Sequence, residues 1–286
     1  MSAAVFTRLF DDASLFPPAA LEMPEAVAGH LRHRTAWYRD MSGPFVCGDA
    51  RIRELTVAMT AAGVAELDLA LVLPGGAAGL EAAVDAVFAD PRLRLRAVEL
   101  PVAASADAVT AVAEAAAVLD RTPLAGATAF IEVPARQLTA DVARALADCR
   151  YLAKVRTGGT AAAAFPDEPT LAACLAALAG QRLPFKCTAG LHHAVRHTAA
   201  GTGFEHHGFL NVLLAVATVL TSERVEEVAA ELADTAASRV AAKVSELDTD
   251  AAGAARELFT SFGTCSTDEP IADLVRLGLI GSDPGR

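Results

Sequence analysis

Two lysines in apolar, strand-like segments are the residues of this sequence best suited to covalent chemistry. Of its 24 basic residues only Lys154, Lys186 and Lys243 are lysine. Arginine serves equally well as a surface charge, but lysine alone can lose its proton and act as a nucleophile. Lys154 and Lys186 stand one strand–helix unit apart, so we expect adjacent strands and a common centre. Burial and like charge would then lower a lysine pKa and favour Schiff-base chemistry on a carbonyl substrate.

The segment around Lys154 adds residues that could hold an anionic substrate. Lys154 and Arg156 share one face of the strand, because side chains alternate along it. Thr157, Gly158 and Gly159 follow, and such small residues let backbone N–H groups approach a ligand closely. Glu132 on the preceding strand is a candidate catalytic carboxylate. The alternative is purely structural, with Lys154 and Arg156 in ion pairs with Glu132 and Glu99.

Two further stretches could contribute phosphate contacts. Thr188 shares a strand face with the second lysine, and Gly190 opens the loop that follows. Residues 261–266 place the hydroxyls of Thr264 and Ser266 beside a glycine and before a helix. Such a loop suits the phosphate position after the last strands of a barrel. It could equally be an ordinary helix-capping loop.

A histidine cluster offers a different chemistry. His192 and His193 could act as acid–base residues, or they could bind Zn²⁺ or Fe²⁺ together with His197. Glu205 would then be a further ligand or a base. Anion binding, helix capping and simple exposure to solvent are alternatives. Five of the seven histidines belong to this stretch: His192, His193, His197, His206 and His207.

The segments that carry these residues alternate between strand-like and helix-like patterns. Continuous apolar strands separated by alanine-rich helices indicate a parallel sheet covered on both faces. The predicted strands are Asp68–Leu73, Arg94–Pro101, Ala127–Pro134, Tyr151–Thr157 and Leu183–Ala189, and the predicted helices are Gly79–Ala89, Ala106–Leu119, Gln137–Ala147 and Thr170–Ala179.

Both ends of the chain fit the same rhythm, which predicts eight strand–helix units. The fold class is therefore α/β, a TIM-type (β/α)8 barrel in one domain over residues 1–286, with its site at the carboxyl ends of the strands. The absence of a Gly-x-Gly-x-x-Gly turn argues against a doubly wound nucleotide-binding sheet. The added pairs are Val5–Phe10 with Leu21–Tyr38, Pro44–Cys47 with Arg51–Ala62, and Phe259–Cys265 with Pro270–Leu277.

Three features lie outside this repeating pattern. Residues 208–242 form an extra helical segment before the last strand, in two pieces, with Thr221 or Ser222 capping the second. Residues 11–18 are rich in turn formers and could cover the mouth of the barrel. His30 and His33 are expected on a solvated helix face.

Composition limits the classes of partner. The 286 residues carry a net charge of −11, which disfavours nucleic acid and anionic membrane surfaces. We see neither an export signal nor a stretch long enough to span a membrane. The five cysteines form no Cys-x-x-Cys pair and favour a reducing cytoplasm. A small anionic carbonyl compound is the expected partner, and assembly into a homo-oligomer is left open.

The order of these motifs resembles that of the deoxyribose-phosphate aldolase group of class I aldolases. The resemblance implies a lyase without a cofactor, in which Lys154 forms the imine and Lys186 lowers its pKa. It places Gly158, Gly190, Thr264 and Ser266 near a phosphate group. The catalytic aspartate of that family has only Glu99 and Glu132 as candidate counterparts. The phrases Arg-Thr-Gly-Gly and Thr-Ala-Gly-Leu-His-His also look like those of a bacterial protein family with no assigned activity.

Three functional hypotheses follow. The first is a lyase that forms a Schiff base on a small carbonyl substrate, phosphorylated or not. The second is a metal-dependent hydrolase, isomerase or lyase that uses zinc or iron at the histidine cluster. The third is a barrel that binds a small anion without catalysis.

Overall fold

Eight parallel strands close into a barrel in the computed structural model, which describes residues 3–102 and 107–282. The barrel strands are β1 (Phe10–Asp12), β2 (Ser42–Gly48), β3 (Leu67–Val72), β4 (Leu93–Pro101), β5 (Thr128–Val133), β6 (Leu152–Arg156), β7 (Phe185–Thr188) and β10 (Phe259–Thr264). Around the barrel they follow the order β1-β10-β7-β6-β5-β4-β3-β2. This confirms the predicted TIM-type (β/α)8 barrel.

Helices connect the barrel strands and cover them. Several begin at side-chain caps, among them Thr139 before α5 and Asp167 before α6, whose carboxylate or hydroxyl oxygen accepts a backbone N–H. The predicted helix start at Ala106 lies outside the described residues. Seven helices follow the first six strands or the last one: α1 (Met23–Thr35), α2 (Ile52–Ala61), α3 (Leu80–Phe88), α4 (Ala108–Leu119), α5 (Ala140–Cys149), α6 (Glu168–Gly180) and α11 (Asp268–Arg276).

The segment before the last strand is more divided than predicted. Three helices, not two, cover most of residues 208–242 and extend beyond them, and a fourth helix leads into β10. The second of them begins after Arg224 and not after Thr221 or Ser222, because Ser222 instead accepts the N–H of Arg224. These helices are α7 (Phe209–Val219), α8 (Val225–Ala233), α9 (Ala237–Glu246) and α10 (Thr249–Leu258), and a short antiparallel pair, β8 (His197–Thr198) and β9 (Glu205–His206), precedes them.

The first strand differs from the prediction. Residues Ala3–Phe6 form a short 3-10 helix, and the strand begins only at Phe10. The prediction of a strand over Val5–Phe10 is therefore wrong at every residue except Phe10. Asp11, assigned from the sequence to a covering loop, is instead a buried strand residue inside the barrel. Only the part of that loop beyond the strand lies at the mouth, where Phe16 packs against the apolar residues inside the barrel.

Alternation along the strands separates an inner core from an outer one. In β3, Leu69 and Leu71 pack outward against the helices, whereas Ala70 and Val72 pack inward with Phe130. The small inner apolar cluster leaves room in the barrel for charged side chains. No helix in the described ranges is both long and apolar enough to cross a membrane.

Both histidines of α1 are buried, contrary to the prediction. His30 Nδ1 lies 3.0 Å from Asp12 Oδ2, and its ring packs against Phe45. His33 Nδ1 lies 2.9 Å from the hydroxyl of Tyr38. A partner for Nδ1 of each ring allows these side chains to be buried on the barrel-facing side of the helix.

Candidate active site

A continuous chain of ion pairs crosses the interior of the barrel. Lys186 Nζ contacts both Asp11 Oδ2, at 2.5 Å, and Glu99 Oε1. Lys154 Nζ lies 2.7 Å from Glu99 Oε2 and 2.8 Å from Glu132 Oε2. Arg156 Nε ends the chain, 2.8 Å from Glu132 Oε1. We call these six residues the ion-pair chain: Asp11, Lys186, Glu99, Lys154, Glu132 and Arg156.

Strand register brings the members of the ion-pair chain together. Lys154 is opposite Lys186 across β6 and β7, and Glu132 is opposite Lys154 across β5 and β6. Neighbouring strands place their side chains at the same level and on the same inner face. Glu99 approaches from β4, so a single carboxylate bridges the two ammonium groups. The sequence prediction that both lysines lie on adjacent strands and face one centre agrees with this geometry.

The position of Asp11 depends on a glycine in the next strand. A Cβ at Gly43 would overlap Asp11 Oδ1. The missing side chain therefore provides the space that the carboxylate occupies. Ser261 Oγ donates a hydrogen bond to Asp11 Oδ2 at 2.8 Å and fixes it further.

Opposite charges keep the central carboxylates ionised despite their burial. Burial alone would raise the pKa of Glu99, but the ammonium groups of Lys154 and Lys186 outweigh it and hold that pKa at about 2. Burial likewise opposes ionisation of Glu132, and Lys154 and Arg156 lower its pKa below the usual range. The two bases nearest Lys154 are therefore carboxylates at neutral pH.

Carboxylates hold Lys186 in its charged form. Burial by itself would lower the pKa of Lys186, but the carboxylates of Asp11 and Glu99 raise it above its ordinary value. An ammonium neighbour alone, as expected from the sequence, would lower that pKa instead. Burial also raises the pKa of Asp11, against the effect of Lys186. Asp11 therefore takes up a proton at a higher pH than an ordinary aspartate does.

An open cavity adjoins one end of the ion-pair chain. Its volume is about 420 Å³, within the range of small-ligand sites. Glu132 and Arg156 line it, and Lys154 lies directly behind Glu132. Arg136 and Gln137 contribute further polar groups from the loop after β5. The remaining lining residues are small or cyclic: Pro101, Val102, Pro134, Ala135, Ala163, Ala164 and Pro166.

The glycines expected to admit a ligand pack against each other. A Cβ at Gly158 would lie 2.7 Å from Gly190 Cα, and Gly190 has a φ of +84°. A Cβ at Gly159 would lie 2.8 Å from Ala164 Cβ. Close packing of the loops after β6 and β7 thus accounts for these glycines. The expectation of backbone N–H groups open to phosphate is not needed to explain them.

The four hydroxyl residues of the predicted phosphate site lie at or just after the ends of the neighbouring strands β6, β7 and β10, and three of them hydrogen-bond within the protein. Thr157 is buried and donates to the carbonyl of Ala189 at 2.5 Å. Thr264 donates to the carbonyl of Ser266 at 3.0 Å, and Ser266 Oγ accepts the N–H of Glu269. Thr264 and Ser266 therefore stabilise the loop before α11. The fourth residue, Thr188, is on β7, in register with Arg156.

The histidine cluster forms beside α11, away from the ion-pair chain. His192 Nδ1 lies 3.2 Å from Glu269 Oε2 and 3.5 Å from Cys265 Sγ. His193 Nδ1 lies 3.1 Å from Asp273 Oδ2, and its ring is edge-on to His197. In the described ranges no three His, Cys, Asp or Glu side chains are grouped as metal ligands are. The carboxylates of α11 engage His192 and His193, and His197 Nδ1 lies 3.2 Å from the carbonyl oxygen of Val195.

Sequence reasoning missed two residues of the site. Asp11 was not predicted as a site residue because the first strand was placed too early. The two consecutive aspartates directly after apolar residues could have pointed to it, since such a pair is unusual in a buried strand. Arg136 carries no motif, and only the cavity reveals it.

Comparisons with family models, curated proteins and solved structures found no match for this chain.

Proposed function

We propose that this barrel is an enzyme of the Schiff-base type, a lyase in which Lys154 forms an imine with a small carbonyl substrate. One observation carries the proposal: Lys154 is buried between Glu99 and Glu132, and Glu132 lines an open cavity. Carboxylates on either side of an amine provide both a proton acceptor and a counter-charge for an iminium ion. The barrel fold is compatible with this chemistry.

The first step needs a neutral amine at Lys154. Glu132, 2.8 Å away, takes the proton from Lys154 Nζ. The nitrogen then attacks the carbonyl carbon, a C–N bond forms, and the carbonyl oxygen receives the proton held by Glu132 to give a carbinolamine. That oxygen takes a second proton from the nitrogen and leaves as water, and the iminium ion remains. Its positive charge lies beside Glu99, where the ammonium charge had been.

The iminium ion is an electron sink for the second step. A bond to the adjacent carbon breaks, either C–H or C–C, and its electron pair forms an enamine. Glu132 accepts the α-proton in the C–H case. In the C–C case it accepts the proton of the hydroxyl on the carbon that leaves, and that fragment departs as a carbonyl compound. Lys186 remains an ammonium group, because Asp11 and Glu99 raise its pKa, and it keeps Glu99 in place. Lys186 is therefore a positioning residue in this scheme.

Exchange of α-hydrogens for deuterium tests this proposal without knowledge of the natural substrate. Acetaldehyde, acetone, pyruvate and dihydroxyacetone phosphate are incubated with the protein in D₂O, and deuteration is followed by proton NMR. We expect accelerated exchange for at least one of them, abolished by Lys154→Met. Lys243→Met is the matched control, since Lys243 pairs with Glu231 on the surface. No acceleration with any compound, or equal rates in both variants, would contradict the proposal.

A non-catalytic anion-binding barrel is the second candidate. It is favoured by the complete pairing of both lysines, which a purely structural network would also show. Ligand binding without exchange in the same experiment would support it.

A further inference from the structure

The cavity beside Glu132 contains more positive charge than the ion-pair chain neutralises. Three carboxylates and three cations make up that chain, so its formal charge is zero. Arg136 adds one further cation to the cavity wall. Within residues 3–102 and 107–282, no hydrogen bond or ion pair engages its guanidinium group. One cation in this cavity is therefore without a counter-ion.

Asp167, a carboxylate outside the ion-pair chain that interacts with Arg136, is already engaged. Asp167 caps α6, and its Oδ1 accepts the N–H of Thr170 at 3.0 Å. The pKa of Asp167 is lowered chiefly by its hydrogen bonds with Thr170, and to a smaller extent by Arg136 and His207. Arg136 thus acts on Asp167 through space without forming a pair with it.

Arg156 also lines this cavity and has N–H donors that Glu132 does not engage. Its Nε donates to Glu132, and its side chain remains 45% exposed, so the terminal nitrogens stay available. A guanidinium group presents five N–H donors in a planar fork that matches a carboxylate or a phosphate. Two such groups on one cavity wall are the arrangement with which proteins recognise an oxyanion.

We propose that Arg136 and Arg156 bind the anionic group, a carboxylate or a phosphate, of a small ligand in this cavity. The site lies after β5 and β6, on the opposite side of Lys154 from the Thr264 loop. The proposal rests on the proposed function in one respect: it makes that ligand the carbonyl substrate and defines it as a short anionic aldehyde or ketone. The apolar lining of prolines and alanines fits a short carbon chain.

The geometry also explains how such a substrate gains access to Lys154. Glu132 accepts from Arg156 on one oxygen and from Lys154 on the other, both at 2.8 Å. An anion that binds the terminal nitrogens of Arg156 shares the charge of that guanidinium with Glu132 and weakens the pair between them. A small shift of Glu132 then exposes the amine to the cavity while Glu132 stays close enough to accept its proton.

Calorimetric titration with two simple anions tests the proposal. The probes are inorganic phosphate and lactate, which has a carboxylate but no carbonyl group to react. We expect the wild type to bind at least one of them, and Arg136→Gln to bind it at least about tenfold more weakly. Arg144→Gln is the matched control, because Arg144 is an exposed arginine on the neighbouring α5 and lies outside the cavity. Preference for phosphate or for lactate identifies the anionic group.

Two results would overturn the anion site: no binding of either probe to the wild type, or equal binding by the Arg136 and Arg144 variants. Lys154→Met separates this proposal from the proposed function. It should keep anion binding and lose α-hydrogen exchange. Anion binding that depends on Arg136, in a protein that catalyses no exchange, would uphold the site and reject the Schiff-base mechanism.

Discussion

Glu99 Oε2 lies 2.7 Å from Lys154 Nζ inside the barrel, where both side chains are buried. The other oxygen of the same carboxylate contacts Lys186. One acidic residue thus bridges two buried cations. We expect the stability of the barrel interior to depend on this bridge, and in the proposed mechanism the reactivity of Lys154 depends on it as well.

Replacement of the bridge should destabilise the protein strongly. Glu99→Gln keeps the side-chain volume but leaves two ammonium groups with one carboxylate each. Loss of one partner from a buried ion pair costs about 3–5 kcal/mol in the free energy of unfolding. Urea unfolding at neutral pH measures it. Glu114→Gln makes the same chemical change on the exposed face of α4 and should cost less than about 0.5 kcal/mol. Similar costs for the two variants would mean that Glu99 contributes little.

The low pKa of Glu99 should make the stability of the protein depend on pH in the acidic range. The pKa of Glu99 is about 2 in the folded protein, below its ordinary value of 4.5. Its contribution to stability is therefore complete above pH 4.5 and is lost as the pH falls towards 2. Between about pH 6 and pH 3 the wild type should lose about 2 kcal/mol more than Glu99→Gln. Parallel unfolding curves over that range would contradict the low pKa.

The second lysine should influence the first. Lys186→Met removes a positive charge and leaves more of the Glu99 carboxylate to Lys154, so the pKa of Lys154 should rise. The measurement is the pH dependence of aldehyde labelling at Lys154, trapped with borohydride. Its apparent pKa should be higher in the variant than in the wild type. An unchanged or lower value would mean that the two ammonium groups do not interact.

Substitution of the glycine beside Asp11 should reduce stability more than substitution of a second glycine in the same strand. Gly43→Ala would force Asp11 away from Lys186, because a Cβ there overlaps the carboxylate. Overpacking of this kind costs about 1–3 kcal/mol. Gly48→Ala is the control, since no atom outside its chain neighbours lies within 4 Å of a Cβ at that position. Equal thermal stability of the two variants would show that Asp11 adapts without loss.

Local sequence patterns predicted most of the barrel. Apolar strands and alanine-rich helices alternate clearly from Leu67 to Thr188, and the predicted strands there match the observed ones within two residues. The first strand was misplaced because the apolar residues Val5 and Phe6 belong to a 3-10 helix that packs into the outer core. The spacing of apolar residues in so short a segment does not distinguish a short helix from a short strand.

Only the site residues that lie on neighbouring strands could be predicted from the sequence. The spacing of Lys154 and Lys186 placed them together, because adjacent parallel strands share a level. The bridging role of Glu99 depends on side chains that reach across the barrel from β4, and strand spacing contains no such information. The burial of His30 was missed because its partner Asp12, 18 residues earlier, was assigned to a covering loop and not to a buried strand.

Site mapping of trapped imine among the three lysines tests the central claim most directly. The native protein is treated at neutral pH with a limiting amount of a small anionic aldehyde or ketone and reduced with borohydride, and its peptides are then analysed by mass spectrometry. Exposure alone would direct labelling to Lys243, whose side chain is 38% exposed, whereas that of Lys154 is 3% exposed. The Schiff-base account predicts the adduct on Lys154, and its loss when the protein is first unfolded in urea. Labelling of Lys243 with none on Lys154 would contradict the account.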